Sequence, residues 1–392
     1  MHLIKAIKEQ FWVILIGTGL ALSPIHNLWL TKLATTKQGE TLFFLPAFGY
    51  LLLIMGAGMF LLHNWEKVKV DGFGDKRIWI PLLVIAGAIG LSGITIDGSV
   101  QDKIAPVGMG IVLFVLYLSA RILGKKLFYP LAAGVAIGSL GIIAYQVVHP
   151  GAATGGFVFE ANFDIATGYI LLGASLFIHR WRWQLASLAI VALLASGAPE
   201  AVFALGVIAL FGLFRKDWSK KLVPITAVLV LLLVVGFATG LMQNVYSYVR
   251  DSLTQEPTAY YTNPEGTVEL VSPLAVRWLV IRDAMTSIRP LGIGYGLTNF
   301  RPTTVHNVPL IIVQQLGWPG ILAALAWLWV TIWCLRKTRW KYAWVAVIAL
   351  SVFDHYIWTQ LAPIFWLLVG VSVAGSTLEK EGKSDLVFRM AT

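Results

Sequence analysis

The sequence predicts an all-α fold, a polytopic transmembrane bundle of about twelve helical spans with one long external loop that contains an interfacial helix. Three observations predict it. Of 392 residues, 57% are hydrophobic and only 13% are charged, against about 25% charged in an ordinary soluble domain. Apolar runs recur along the chain, and twelve runs of about 20 residues would use ~240 residues, close to the apolar share. Stretches such as 222–240 are apolar on every face apart from two threonines and a proline, whereas a barrel strand alternates apolar and polar residues.

In chain order the runs fall at 11–30, 42–62, 78–94, 104–122, 127–148, 164–178, 183–196, 199–214, 222–242, 307–334, 342–353 and 355–377. The first follows Lys5 and Lys8 and ends in Ala21-Leu22-Ser23 like a secretory signal, but 24–30 stay largely apolar, so it reads as an uncleaved first span. The sixth, seventh and eleventh runs are short, each a tilted, half-spanning or merged segment, which leaves the parity of the count open to test. With a cytoplasmic N-terminus, alternate connections hold 22 of the 30 Lys and Arg residues; the others are Lys32, Lys37, Lys103, Arg250, Arg277, Arg282, Arg289 and Arg301. Five of those eight lie in the loop 243–305, so the short loops obey the positive-inside rule and both termini are expected in the cytoplasm. The chain then divides into 1–242 with about nine spans, the external loop 243–305, 306–378 with about three spans, and a cytoplasmic tail 379–392. The same partition spreads the +10 net charge over topological loops and leaves no basic face for nucleic acid. A single cysteine, Cys334, excludes an internal disulfide and a cysteine zinc cage.

Chemistry concentrates in 243–305, a connection too long for a simple hairpin. It carries Tyr246, Tyr248, Tyr260, Tyr261 and Trp278, and Ser272-Pro273 marks a helix start that runs to Arg289-Pro290. On that helix Arg282 and Arg289 share a face and Arg277 lies off it. Gly292-Ile293-Gly294-Tyr295-Gly296 follows, either a turn whose amides meet phosphate oxygens or a glycine-rich re-entry turn. The arginines likewise have two readings, as anion partners or as anchors for lipid headgroups. His306-Asn307 opens the next span with no HxxxH spacing nearby, which favours an acid/base or anion-binding role over metal ligation. No metal and no other cofactor is expected.

His306-Asn307-Val308-Pro309-Leu310, continuing to Gln315-Leu316-Gly317-Trp318-Pro319-Gly320, resembles the signature HNxxLxxxxExGxxG of the O-antigen ligase and polymerase superfamily. Arg277 and the run from Pro290-Leu291-Gly292-Ile293-Gly294 to Asn299-Phe300 resemble its R…PxxGxGxxNF segment, and Asp354-His355-Tyr356-Ile357-Trp358-Thr359 is similar to its DHYxWT block. The motifs cover roughly 270–370; elsewhere the likeness is one of hydropathy. Gln315 stands where the family usually has Glu, and Ser196-Gly197-Ala198-Pro199-Glu200 lacks the arginine of a TGSR-like turn.

The resemblance implies a glycosyltransferase of the inner membrane that moves a glycan from an undecaprenyl-pyrophosphate carrier to an acceptor hydroxyl at the outer face, without metal or nucleotide-sugar. It implies Arg277 and Arg282 at the pyrophosphate, with Arg301 third and Gly292 and Gly294 beside them, and His306 as base or orienter. Asn307, Gln315, Asp354 and His355 stand behind them, Asp354 to neutralise an arginine and His355 to hydrogen-bond the pyrophosphate, or else both only to cap two short helices. The expected partners are that donor, a glycan, lipid or protein acceptor and membrane lipids. Ligation, polymerisation and transfer to protein are not separated by these motifs. The competing classes are a transporter or flippase of lipid-linked oligosaccharide, disfavoured because the assigned spans lack ionisable residues away from their ends, and a structural membrane subunit.

Overall fold

The structure, a computed structural model, describes residues 2–22, 48–96, 100–150, 163–178, 183–213, 243–262, 267–286, 288–295 and 306–380. Apolar runs become helices because a chain withdrawn from water must satisfy its own amides and carbonyls, which a helix does within one segment. In order these are α1 (His2–Leu22), α2 (Phe48–His63), α3 (Trp65–Asp71), α4 (Lys76–Leu91), α5 (Val100–Leu123), α6 (Phe128–Val148), α7 (Phe163–Ile178), α8 (Trp183–Ala195) and α9 (Pro199–Leu213). The loop region contributes α10 (Gln243–Thr254), strands β1 (Ala259–Thr262) and β2 (Val268–Val271), and α11 (Pro273–Thr286). The last part holds α12 (Val308–Leu316), α13 (Trp318–Lys337), α14 (Lys341–Phe353) and α15 (Ala362–Lys380).

One apolar core joins α1–α9 and α12–α15, and Tyr261, Val280 and Ala284 form a separate small cluster between β1 and α11. Helix α15 lies along α5, α4 packs between α5 and α13, and α14 packs against α7 and α9. Two polar side chains tie the core together: Trp344 Nε1 donates to Ser372 Oγ at 3.0 Å and the Tyr169 hydroxyl donates to the Leu20 carbonyl at 3.1 Å.

Among the described residues, three helical stretches are long and apolar enough to cross a membrane, Lys76–Thr95, Lys103–Val148 and Trp318–Lys337, and seven apolar helices are shorter. Membrane character is therefore carried by the helices, but a count of about twelve full spans is not supported. The fourth and fifth expected spans form one helical stretch of 46 residues, joined by a 3-10 turn, Gly124–Leu127. The expected span 307–334 breaks at Gly317 into α12 and α13, and the expected span 355–377 begins only at Ala362. The ninth run, 222–242, lies outside the described residues.

The all-α expectation also missed a hairpin. Strands β1 and β2 pair antiparallel, Ala259 opposite Val271 and Thr262 opposite Val268. The signal was present, because Tyr260-Tyr261-Thr262 and Val268–Val271 are aromatic or β-branched runs on either side of Asn263-Pro264-Glu265-Gly266. Helix α11 starts where the proline signal put it, with Ser272 Oγ accepting the Ala275 amide at 3.3 Å.

Candidate functional site

The site is organised by the break between α12 and α13. Gly317 sits there at φ +66, the left-handed region open to glycine, and Pro319 has no amide to continue the α12 ladder. The turn 290–295 docks into the gap. The amides of Ile293 and Gly294 donate to the carbonyls of Gln314 and Gln315 at 3.2 and 2.9 Å, the Gly292 amide donates to Arg289 O at 3.0 Å, and the Trp318 amide donates to Pro290 O at 2.8 Å. A Cβ on Gly292, itself at φ +76, would lie 2.1 Å from the Gln315 carbonyl oxygen. The Ile293 and Gly294 amides thus meet carbonyls that the helix break leaves open, while the Gly292 amide closes its own turn on Arg289.

Gln315 is fully buried, and its Oε1 accepts the Trp358 indole N–H at 2.8 Å. The Tyr295 hydroxyl donates to the Trp358 carbonyl at 3.2 Å, and its ring meets the Trp358 ring edge-on at 5.2 Å. The position that carries Glu in the resembling family therefore fastens α12 to the connection 354–361, and an amide does so without burying a charge. Asn307 caps α12: its side chain accepts the Leu310 amide at 3.2 Å, and its Nδ2 donates to Val352 O at 3.5 Å. That cap holds His306, the preceding residue, against the end of α14.

Beyond Phe353 the chain leaves the helix, and 354–361 forms buried turns. Here three groups from two distant segments meet. His306 Nδ1 lies 3.8 Å from Asp354 Oδ1, and His355 Nδ1 lies 3.3 Å from the same oxygen. The two imidazoles stand edge-to-face with centroids 5.4 Å apart. Their ligand-capable atoms all fall within 4.8 Å of one another, a set able to hold a metal ion. No spacing rule finds it, because 48 residues separate His306 from Asp354. His306 is half-exposed while Asp354 and His355 are buried. Burial raises the Asp354 carboxyl above its ordinary value, against the pull of His306 and the His355 amide. Burial, helped by the charge of His306, lowers the His355 imidazole to about 3, so it is neutral at physiological pH.

Arg277 reaches this end of α14 from α11. Its Nη2 pairs with Glu200 Oε1 at 2.5 Å, its Nη1 donates to Phe353 O at 2.9 Å, and its guanidinium lies 5.5 Å from the Phe353 ring centroid. The carboxylate expected from Asp354 for an arginine is thus supplied to Arg277 by Glu200, and Asp354 faces histidines instead. Glu200 was not among the expected site residues; the signal for it was its place at the TGSR-like turn. Arg282 faces a different partner: its Nε and Nη2 donate to Asp283 Oδ1 at 3.1 and 3.0 Å. The other oxygen of Asp283 accepts the Tyr261 hydroxyl, which ties α11 to the hairpin. The structure thus brings Arg277, His306, Asn307, Asp354 and His355 to one end of α14, with Gln315, Gly292 and Gly294 beneath as scaffold. Arg282 stands on the hairpin side, and Arg301 lies outside the described residues.

No protein-family model and no curated protein matches the sequence.

Proposed function

We propose that the chain is a multi-pass membrane glycosyltransferase of the O-antigen ligase and polymerase type. It moves a glycan from a polyprenyl-pyrophosphate carrier to an acceptor hydroxyl at the outer face of the cytoplasmic membrane. The observation that carries this reading is the meeting of a loop arginine and a half-exposed histidine. Arg277 donates to the carbonyl of Phe353, the residue before Asp354, and Asp354 faces His306.

In this reading the acceptor oxygen attacks the anomeric carbon, the bond from that carbon to the pyrophosphate oxygen breaks, and the bonding pair leaves with the carrier. His306 takes the hydroxyl proton, and the Asp354 carboxylate stabilises the resulting imidazolium. Arg277 stabilises the charge growing on the leaving pyrophosphate. Glu200 and the Phe353 carbonyl orient its guanidinium. Arg282 and Arg301 supply further positive charge from the same loop. In this reading both termini face the cytoplasm and 243–305 is external.

The testing experiment reconstitutes the purified protein in liposomes with a polyprenyl-pyrophosphate-linked glycan and candidate lipid, glycan and protein acceptors. The expected result is an acceptor-linked glycan and one released carrier pyrophosphate per transfer. Donor that crosses the bilayer with its glycan still attached would support a flippase instead. Orientation is checked on a Cys334→Ser background, where Tyr246→Cys is expected to react with an impermeant thiol reagent in intact cells and Lys125→Cys is not.

A further inference from the structure

We propose that His306, Asp354 and His355 form a binding site for one divalent transition-metal ion of the zinc class, held by two imidazole nitrogens and one carboxylate oxygen. Geometry is the first support. Both Nδ1 atoms surround a single carboxylate oxygen, at 3.8 and 3.3 Å, and all three ligand atoms lie within 4.8 Å. A tetrahedral zinc ion with bonds of about 2.0–2.2 Å sets its donors roughly 3.3–3.5 Å apart. The His355–Asp354 separation already matches that spacing, and the His306–Asp354 separation exceeds it by a few tenths of an ångström.

The second support is an unsatisfied atom. His355 is 4% exposed, and its Nδ1 has no hydrogen-bond partner. A buried polar atom left without a hydrogen bond calls for an explanation. An ion coordinated at that nitrogen supplies the missing interaction.

The donors come from two segments, each tied down by hydrogen bonds, and the Asp354 oxygen also accepts the His355 amide at 2.6 Å. Asp354 is held by its amide on Leu350 O, and His355 by its carbonyl, which accepts the Trp358 amide at 2.9 Å. On the other side the Asn307 cap of α12 fixes His306. His306 is 51% exposed, which gives an ion a way in from water. Two nitrogens and one oxygen suit zinc and its neighbours, whereas calcium and magnesium prefer all-oxygen shells. Three protein ligands leave a position open for water or an anionic oxygen.

The site is tested by binding alone, so its outcome is separate from the transferase reading. Full-length protein purified without a polyhistidine tag is stripped with chelator, then dialysed against Zn2+ for elemental analysis and titrated with Co2+ for visible ligand-field absorption. One Zn2+ per chain is expected, with a Co2+ spectrum of nitrogen and oxygen ligation. His355→Ala and Asp354→Asn are each expected to weaken binding at least about tenfold. Because both positions are buried, His306→Ala at the exposed edge provides the variant expected to stay folded. It should weaken binding by a similar factor and abolish the rise in Tm that Zn2+ gives the native chain. Binding well below one ion per chain, or binding that His306→Ala leaves as tight as before, overturns the proposal.

Discussion

Helix α11 carries two arginine–carboxylate pairs that differ in what they hold together. Arg282 pairs with its own neighbour Asp283, and the side chains are 55% and 6% exposed. Arg277 pairs with Glu200, 77 residues away, and those side chains are 25% and 18% exposed. The local pair needs only α11 and the hairpin strand that offers Tyr261. The distant pair forms only when α11 is docked on the bundle, and the second hydrogen bond of Arg277 ends one residue from Asp354. Two arginines of similar appearance in sequence thus have separate tasks. Arg282 is anchored within α11 and beside the hairpin, so any charge it lends the site is secondary, whereas Arg277 reaches the end of α14 where the histidines lie.

The largest expected effects come from breaking the distant assembly. His306→Ala and Arg277→Ala should each reduce glycan transfer by at least about 10²-fold, the usual scale for losing a general base or a fixed charge at a leaving group. Both variants should still insert and purify. Saturating Zn2+ should reproduce the His306→Ala loss by capping the proton acceptor, while EDTA should leave transfer unchanged or raise it. Activity that disappears in EDTA and returns with one specific metal would instead make the ion part of the chemistry.

Smaller effects sharpen the contrast. Arg277→Lys keeps a charge but loses the fork that meets Glu200 and the Phe353 carbonyl together, and transfer is expected to fall roughly tenfold. Glu200→Gln should reduce it by a similar factor, because the guanidinium then lacks its orienting charge. Arg282→Ala is expected to change transfer least and to lower Tm only slightly, as for an exposed ion pair. Asp283→Asn, which disturbs both Arg282 and the Tyr261 hydroxyl, should cost more in Tm. Equal losses of transfer for Arg277→Ala and Arg282→Ala would erase the distinction.

The helices were legible because apolar runs that lack alternation have one economical structure. Their ends were less so. The run through 307–334 is apolar on both sides of Gly317-Trp318-Pro319, so hydropathy passes over a break that backbone geometry requires. The hairpin was missed because four-residue strands carry little periodic signal beside long helices. At the site, residue types were readable and partners were not. His306, Arg277, Asp354 and His355 stood out singly, but the Arg277–Glu200 pair and the two-histidine cluster join segments 77 and 48 residues apart. Gly292 and Gly294 fitted an anion turn as well as a docking turn, and only the open carbonyls of Gln314 and Gln315 separate the two.

The most direct measurement is single-turnover transfer in EDTA by reconstituted protein loaded with a polyprenyl-pyrophosphate-linked glycan, native chain against His306→Ala. The account predicts that the native chain forms acceptor-linked glycan and releases carrier pyrophosphate in equal amounts. It predicts that His306→Ala retains the donor but transfers at least about 10²-fold more slowly. Equal rates for the two proteins would contradict it.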